Sequence, residues 1–231
     1  MNILALDTCL GACSAAVVCS GDGAAKVFAR FERRERQHAE TIIPMIEAVL
    51  GEAAVNWTQV DVIAVTSGPG SFTGVRVGVS TARGFSLALG KPLIAVNSLD
   101  VMARQAVESA NTGSDHFAVA VDARRGEVYF ALFDSAGKAL SEPAALTPQQ
   151  AAVNLQKANA GQVFGSGAVL VRDACKPDAP APGIAMPDLQ PDARTLGVMA
   201  LEIPPLEQPL RPLYLRPPDA KPQSGKAVER R

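Results

Sequence analysis

Residues 61–89, DVIAVTSGPGSFTGVRVGVSTARGFSLAL, leave this chain little freedom in what it can build. Asp61-Val-Ile-Ala-Val-Thr66 is a short apolar run rich in β-branched residues and predicts a buried strand. Gly68-Pro69-Gly70 ends it, because neither strand nor helix runs comfortably through that tripeptide. Ser71 or Thr73 then caps a helix that continues to about Leu89 and stops at Gly90. Gly74 and Gly78 lie one turn apart and Ala82 extends the row, so another backbone can approach that face closely. In an α/β protein such a row usually packs on the sheet, and it also suits a partner helix. Arg76, Ser80, Arg83 and Leu87 form a second, mostly polar row.

A strand, a Gly-rich turn and a helix N-terminus can also cradle a phosphate with backbone N–H groups. The spacing does not fit a Walker loop, no Lys follows Gly74, and the dinucleotide fingerprint is absent. By local pattern, the stretch is a tight turn ahead of a packed helix.

At 231 residues the chain suits one large domain or two small ones, with room for a real core. A composition of 48% hydrophobic and 19% charged residues is globular. Lys plus Arg number 22 against 23 Asp plus Glu, a net charge of -1, so any RNA contact must be a local patch or belong to a partner. Cys9, Cys13, Cys19 and Cys175 lack metal-site spacing and read as small buried thiols of a cytoplasmic protein. Leu10-Gly-Ala-Cys13 faintly resembles a lipoprotein box. No positive residue precedes it and Asp7 interrupts the apolar run, so neither a signal peptide nor membrane attachment is expected.

In chain order, strands are expected at Asn2–Thr8, Ser14–Cys19 and Lys26–Phe31, with a hairpin turn at Gly21-Asp22-Gly23. The alternating charges of Glu32–Arg36 read as solvated surface. An apolar helical repeat follows (Ala39, Ile42, Ile43, Ile46, Leu50), and Met45 and Val49 widen it beyond one core stripe. Its start is open: Thr41 as cap puts Pro44 in the first turn, whereas a start near His38 puts Pro44 inside. His38 reads as a cap or surface contact before a ligand or base. A strand at Leu93–Val96 and a helix from Ser98 to about Ala110 complete a β-β-β-α-β-α-β-α order, that of a ribonuclease-H-like domain.

The second half repeats the pattern in shortened form. Phe117–Val121 ends at Asp122 as the first strand ends at Asp7, Glu127–Asp134 alternates cleanly, and Lys138–Leu146 is a third strand. A helix starts at Thr147-Pro148, Gln162–Gly167 is a strand with a glycine turn, and a last helix lies near Ala193–Ile203. The expected fold class is α/β, a duplicated ribonuclease-H-like fold of the actin, Hsp70 and sugar-kinase type. The expected domains are 1–110 and 111–215, with 216–231 a disordered tail. Proteins of that architecture hold a nucleotide between the halves, which makes Asp7, Thr8, Asp122 and Arg124 candidate cofactor contacts.

ILALDTCLGACSAAVV, SGPGSFTGVRVGVSTARGFSLALGKPLIAVNSLD, VDARRGEVYFALF and PLYLRPP together resemble the TsaB (YeaZ) family. The resemblance covers most of residues 1–135 and fades from 175 onward. It implies a noncatalytic paralogue of TsaD in the synthesis of N6-threonylcarbamoyladenosine at position 37 of tRNA. Catalytic TsaD proteins carry a segment like VNHLEGH whose two histidines bind the active-site metal. This chain reads Val96-Asn97-Ser98-Leu99-Asp100-Val101-Met102, with Ser98 and Met102 at those places. A hydroxyl and a thioether do not replace two imidazoles. The resemblance therefore implies no catalytic residue, no metal and no cofactor of its own, with ATP or ADP in or near the complex. It implies TsaD and TsaE as partners, a homodimer when alone, and tRNA contact only through the complex. The corresponding helices of the family pair with TsaD as a four-helix bundle. On that basis His38, Thr41, Met45, Val49, Gly74 and Gly78 are expected at the partner contact, ringed by Arg76 and Arg83. The competing reading is an independent ATPase or kinase. A peptidase has little support, with only His38 and His116 available.

Overall fold

The computed structural model describes residues 1–21, 23–109, 113–176 and 180–216. Asp22 of the expected hairpin turn, Ala110 and the expected tail beyond Arg216 lie outside the described residues. Strands β1 (Asn2–Asp7), β2 (Ala12–Cys19) and β3 (Lys26–Arg33) form an antiparallel meander. Helix α1 (His38–Ala53) leads through a single 3-10 turn to β4 (Val62–Thr66), α2 (Phe72–Leu89), β5 (Leu93–Val96) and α3 (Ser98–Ser109). The first sheet has the order β3-β2-β1-β4-β5, with β4 parallel to β1 and β5 parallel to β4.

The second half runs β6 (His116–Arg124), β7 (Glu127–Asp134), β8 (Ala144–Leu146), α4 (Pro148–Lys157), β9 (Gln162–Phe164), α5 (Ala168–Asp173), β10 (Gly183–Ala185) and α6 (Ala193–Met199). Its sheet, β8-β7-β6-β9-β10, repeats the first order strand for strand, antiparallel then parallel. The duplicated ribonuclease-H-like topology is thus present in both halves.

The central strands are buried on both faces. On β1, Leu4 and Leu6 pack with Ile42, Ile46 and Val49 of α1 and Val75 and Val79 of α2. Ile3 and Ala5 face the other way, toward Val101 of α3 and Ala193 and Leu196 of α6. Helix α3 also gives Leu99, Met102 and Ala106 to one face of the second sheet, against Phe117 and Val119. Helices α4 and α5 cover the opposite face. The two sheets thus share a middle layer of helix, and α3 is wedged between them. That is why a helix of twelve residues needs apolar side chains on more than one stripe.

Several boundaries differ from the sequence expectation. Helix α1 starts at His38 behind a left-handed Gln37, so Pro44 lies inside it, on its exposed side. The third strand of the second half is reduced to Ala144–Leu146 plus a bridge between Phe133 and Ala139. Strand β10 has only three residues in a Pro-rich stretch, too few for any periodicity to show. Helix α6, expected with the second half, packs on β1 and β2 of the first: a Cβ on Gly197 would lie 2.6 Å from Val18 Cγ2. Among the described residues, no helix is long and apolar enough to cross a membrane.

Candidate functional site: the cleft between the halves and the outer helical face

Strand β1 delivers Asp7 and Thr8 to the point where the sheet meets the N-terminus of α2. Ser71 caps that helix, its Oγ accepting from Gly74 N at 3.0 Å, and Gly90 closes it in a left-handed conformation. The glycine row faces inward. A Cβ would sit 2.2 Å from Cys9 O at Gly70, 2.1 Å from Thr8 O at Gly74 and 2.7 Å from Thr8 Oγ1 at Gly78. Thr8 Oγ1 donates to Gly74 O at 2.7 Å, and Ser71 N donates to Cys9 O at 2.8 Å. The backbone of α2 therefore packs directly on the end of β1. This corrects the placement of Gly74 and Gly78 on the partner-facing side: no side chain fits there because the sheet occupies the space.

Asp7 is sealed beneath this contact. Its Oδ1 accepts from Thr66 Oγ1 and, at 3.3 Å, from Cys9 N, while Oδ2 is buried without a partner. Burial raises its carboxyl from the ordinary 3.8 to about 7, against the opposing hydrogen bonds from Thr66 and Cys9. Burial likewise pushes the Cys13 thiol up to about 12, helped by the nearby Asp7 and Glu32 carboxylates. The four described cysteines are free, and Cys9 and Cys13 are fully buried.

Asp122, the counterpart of Asp7 in the second half, lies at the surface. Its Oδ1 accepts from Arg124 N at 2.8 Å, its N donates to Ser166 Oγ at 3.1 Å, and Arg124 Nη1 stands 3.4 Å from Oδ2. Asp7 and Thr8 are thus separated from Asp122 and Arg124 by burial, and only the latter pair lines the open space between the halves. Glu127 is engaged by Arg216 at 3.0 Å, and Arg216 also donates to Ala123 O at 2.5 Å.

That space is an open cleft of about 1090 Å³. One wall is the β2-proximal loop and the start of α2, the other is the β6–β7 turn, and the C-terminal segment Leu213–Arg216 crosses between them. The sequence reading missed Arg33 and Arg34 as cleft residues because an alternating charge run looks like any solvated surface. Nothing in the sequence places them opposite Arg124.

The outer face of α1 and α2 forms a shallower groove lined by Ala39, Phe72, Thr73, Arg76, Val77 and Ser80. Arg76 lines this groove and Arg83, further along α2, is exposed, while Thr41 is partly exposed with its hydroxyl on Gln37 O at 2.9 Å. Met45 and Val49 are not on this face: they are 8% and 0% exposed, packed in the protein's own core. His38 is buried too, its Nε2 3.0 Å from Leu10 O. The face presents instead Ile43, Gly84 and Leu87, the last 88% exposed. Their helical positions are legible in the sequence, but which stripe faces the sheet is decided by the glycines.

Ser98 and Met102 are built into the interior. Ser98 Oγ donates to Pro69 O at 2.5 Å and its N to Gly68 O at 2.7 Å, tying α3 to the loop before α2. Met102 is fully buried between α3 and the second sheet, with its methyl near Gly165.

A family model described as tRNA N6-adenosine threonylcarbamoyltransferase matches residues 32–166, more than half of the chain. The tRNA threonylcarbamoyladenosine biosynthesis protein TsaB of Escherichia coli K12 is 40% identical over 131 residues, 57% of this chain and 54% of that protein. A YeaZ structure from Pseudomonas aeruginosa superposes with a TM-score of 0.73 at 32% identity, over 87% of this chain and 91% of that one. The chain belongs to the TsaB (YeaZ) family. An uncharacterized Mycobacterium bovis protein matches nearly end to end, 33% identical over 225 residues, 96% of this chain and 94% of that protein. The chain spans about half the length of the curated TsaB relatives it matches. Within the TsaB family frame, the Gly-rich helix, the β6–β7 turn and the α3 segment are the parts that the geometry singles out.

Proposed function

We propose that this chain is a noncatalytic subunit that binds TsaD and supports transfer of the threonylcarbamoyl group to N6 of adenosine 37 in tRNAs reading codons that begin with A. The observation that carries this reading is the use of Ser98 and Met102. At the positions that hold metal-binding histidines in the catalytic paralogues, the first is a buried hydrogen-bonding tie and the second a core side chain. The sealed Asp7, buried without access to the cleft, weighs against an independent ATPase or kinase. A nucleotide, where one is needed, belongs to the joint assembly with TsaD and TsaE.

The partner surface in this reading is the α1–α2 groove, with Val77, Ser80 and Gly84 allowing close helix approach and Arg76 and Arg83 at its edges. The same surface serves a homodimer when TsaD is absent. Ser80→Trp places a bulky ring on an exposed helical position, so the fold is retained while docking is blocked. The expected outcome is an unchanged circular dichroism spectrum and loss of co-elution with the cognate TsaD in size-exclusion chromatography, with and without ATP. Retained co-elution rules out this surface, and threonylcarbamoyl transfer by the isolated chain rules out the noncatalytic reading.

A further inference from the structure

Five arginines from three separate elements line the cleft between the halves: Arg33 and Arg34 at the end of β3, Arg124 and Arg125 in the β6–β7 turn, and Arg216 in the C-terminal segment. Among the described residues no lysine lines it, in a chain whose net charge is -1. Two carboxylates line the cleft, Asp122, held by the backbone N and guanidinium of Arg124, and Glu35, so the five arginines outnumber them; Glu127 and Glu32 nearby are engaged by Arg216 and, at 2.5 Å, by Arg34. Guanidinium groups carry five donors each, and these contacts use only some of them. Arg33 spends one on Asp188 O at 3.0 Å, and Arg34 Nε is buried without a partner. Arg124, with 82% of its side chain exposed, and Arg125 both adopt left-handed backbone conformations, φ 63° and 58°. Such strain at two successive non-glycine residues is retained where a side chain is needed in one place. At the rim, the Phe72 and Tyr214 rings lie 5.3 Å apart and are 43% and 40% exposed. The Arg76 guanidinium lies 3.6 Å over the Phe72 ring and donates to the Tyr214 hydroxyl, so the outer edges of the two rings are what face the solvent; aromatic and guanidinium groups together are what unpaired bases and their phosphodiesters bind.

We propose that this cleft binds a single-stranded RNA segment through its phosphodiester backbone, so that the chain itself touches the tRNA instead of meeting it only through its partner. The proposal rests on the reading given under Proposed function and names the substrate contact within it. A magnesium-bound nucleoside triphosphate fits the same cleft less well. Its metal is held by carboxylate oxygens, and with Asp7 sealed away and Asp122 committed to Arg124 the cleft offers it Glu35 among five arginines.

The test is fluorescence anisotropy of a labelled anticodon stem-loop RNA against the full chain and against its assembly with TsaD, as a function of salt. Arg33→Ala and the double variant Arg124→Asn, Arg125→Asn are compared, asparagine being tolerant of the left-handed turn. Each is expected to weaken binding at least about tenfold and to flatten the slope of log affinity against log salt by about 0.7 for each phosphate contact removed. Lys157→Ala, on α4 away from the cleft, leaves affinity unchanged. Absence of salt-dependent RNA binding in both samples overturns the proposal, as does equal affinity in the cleft variants. Tight MgATP binding that the cleft variants lose, with RNA binding intact, also overturns it in favour of a nucleotide site. Co-elution with TsaD is measured on the same variants: its persistence with lost RNA binding separates this proposal from the partner reading, which fails if the unaltered chain does not co-elute.

Discussion

Asp7 shows what burial does to a residue that the strand pattern alone marks as functional. In related architectures an acid at the end of the first strand faces the ligand, whereas here it is covered by Gly70, Gly74 and Thr8 and its carboxyl is raised to about 7. The unfolded chain releases that proton near pH 4 while the folded chain keeps it to about pH 7. The contribution to stability is therefore fully present below about pH 4 and is lost as pH rises through 7, a few kcal/mol at most by the usual linkage. Asp7→Asn removes this dependence. The expected outcome is a melting temperature for the variant that varies less between pH 5 and 8 than that of the parent chain, measured by circular dichroism at matched ionic strength. Equal pH slopes for the two proteins show that Asp7 ionises normally.

At the scale of one element, α2 has two faces with opposite tolerances. Gly74→Ala drives a methyl into a backbone carbonyl 2.1 Å away, which neither side can yield cheaply. Overpacking of that kind costs about 1–3 kcal/mol or more, with a melting temperature lower by several degrees. Gly84→Ala meets no atom within 4 Å and replaces a helix-interior glycine, so it should raise stability by about 0.5–1 kcal/mol. Thermal denaturation of the two variants side by side checks both signs. A destabilising Gly84→Ala places that face against something other than solvent.

Across the whole molecule, the C-terminal segment works as a brace. Leu206 N donates to Leu93 O at 2.7 Å and Leu213 N to Ser67 O at 2.7 Å, while Leu210 is buried in the first core. Tyr214 accepts from Arg76 Nε at 3.0 Å, Leu215 packs against the second core, and Arg216 grips the β6–β7 turn. Truncation after residue 205 removes these ties. The expected outcome is a lower melting temperature, with the second half becoming more susceptible to limited proteolysis than the first. Leu210→Ala alone should cost about 2–5 kcal/mol, as for a buried leucine, and Arg216→Ala much less, since its ion pair is partly exposed.

Much of this was determined by the sequence alone. Period-two and period-3.6 patterns, the Gly-Pro-Gly break, the Ser71 and Thr147 caps and the repeated β-β-β-α-β-α order reveal the duplicated topology, because local backbone preferences act over a few residues. The substitution of Ser98 and Met102 is legible for the same reason. Only the tertiary structure decided which stripe of each helix faces inward. Met45, Val49, Gly74 and Gly78 look equally suited to a partner or to a core, and the sheet claims all four because β1 and the Thr8 carbonyl lie within contact distance. The return of α6 to the first sheet and the meeting of Arg33, Arg124 and Arg216 in one cleft join residues far apart in the chain. Such long-range pairings depend on packing across the whole chain, and no local pattern encodes them.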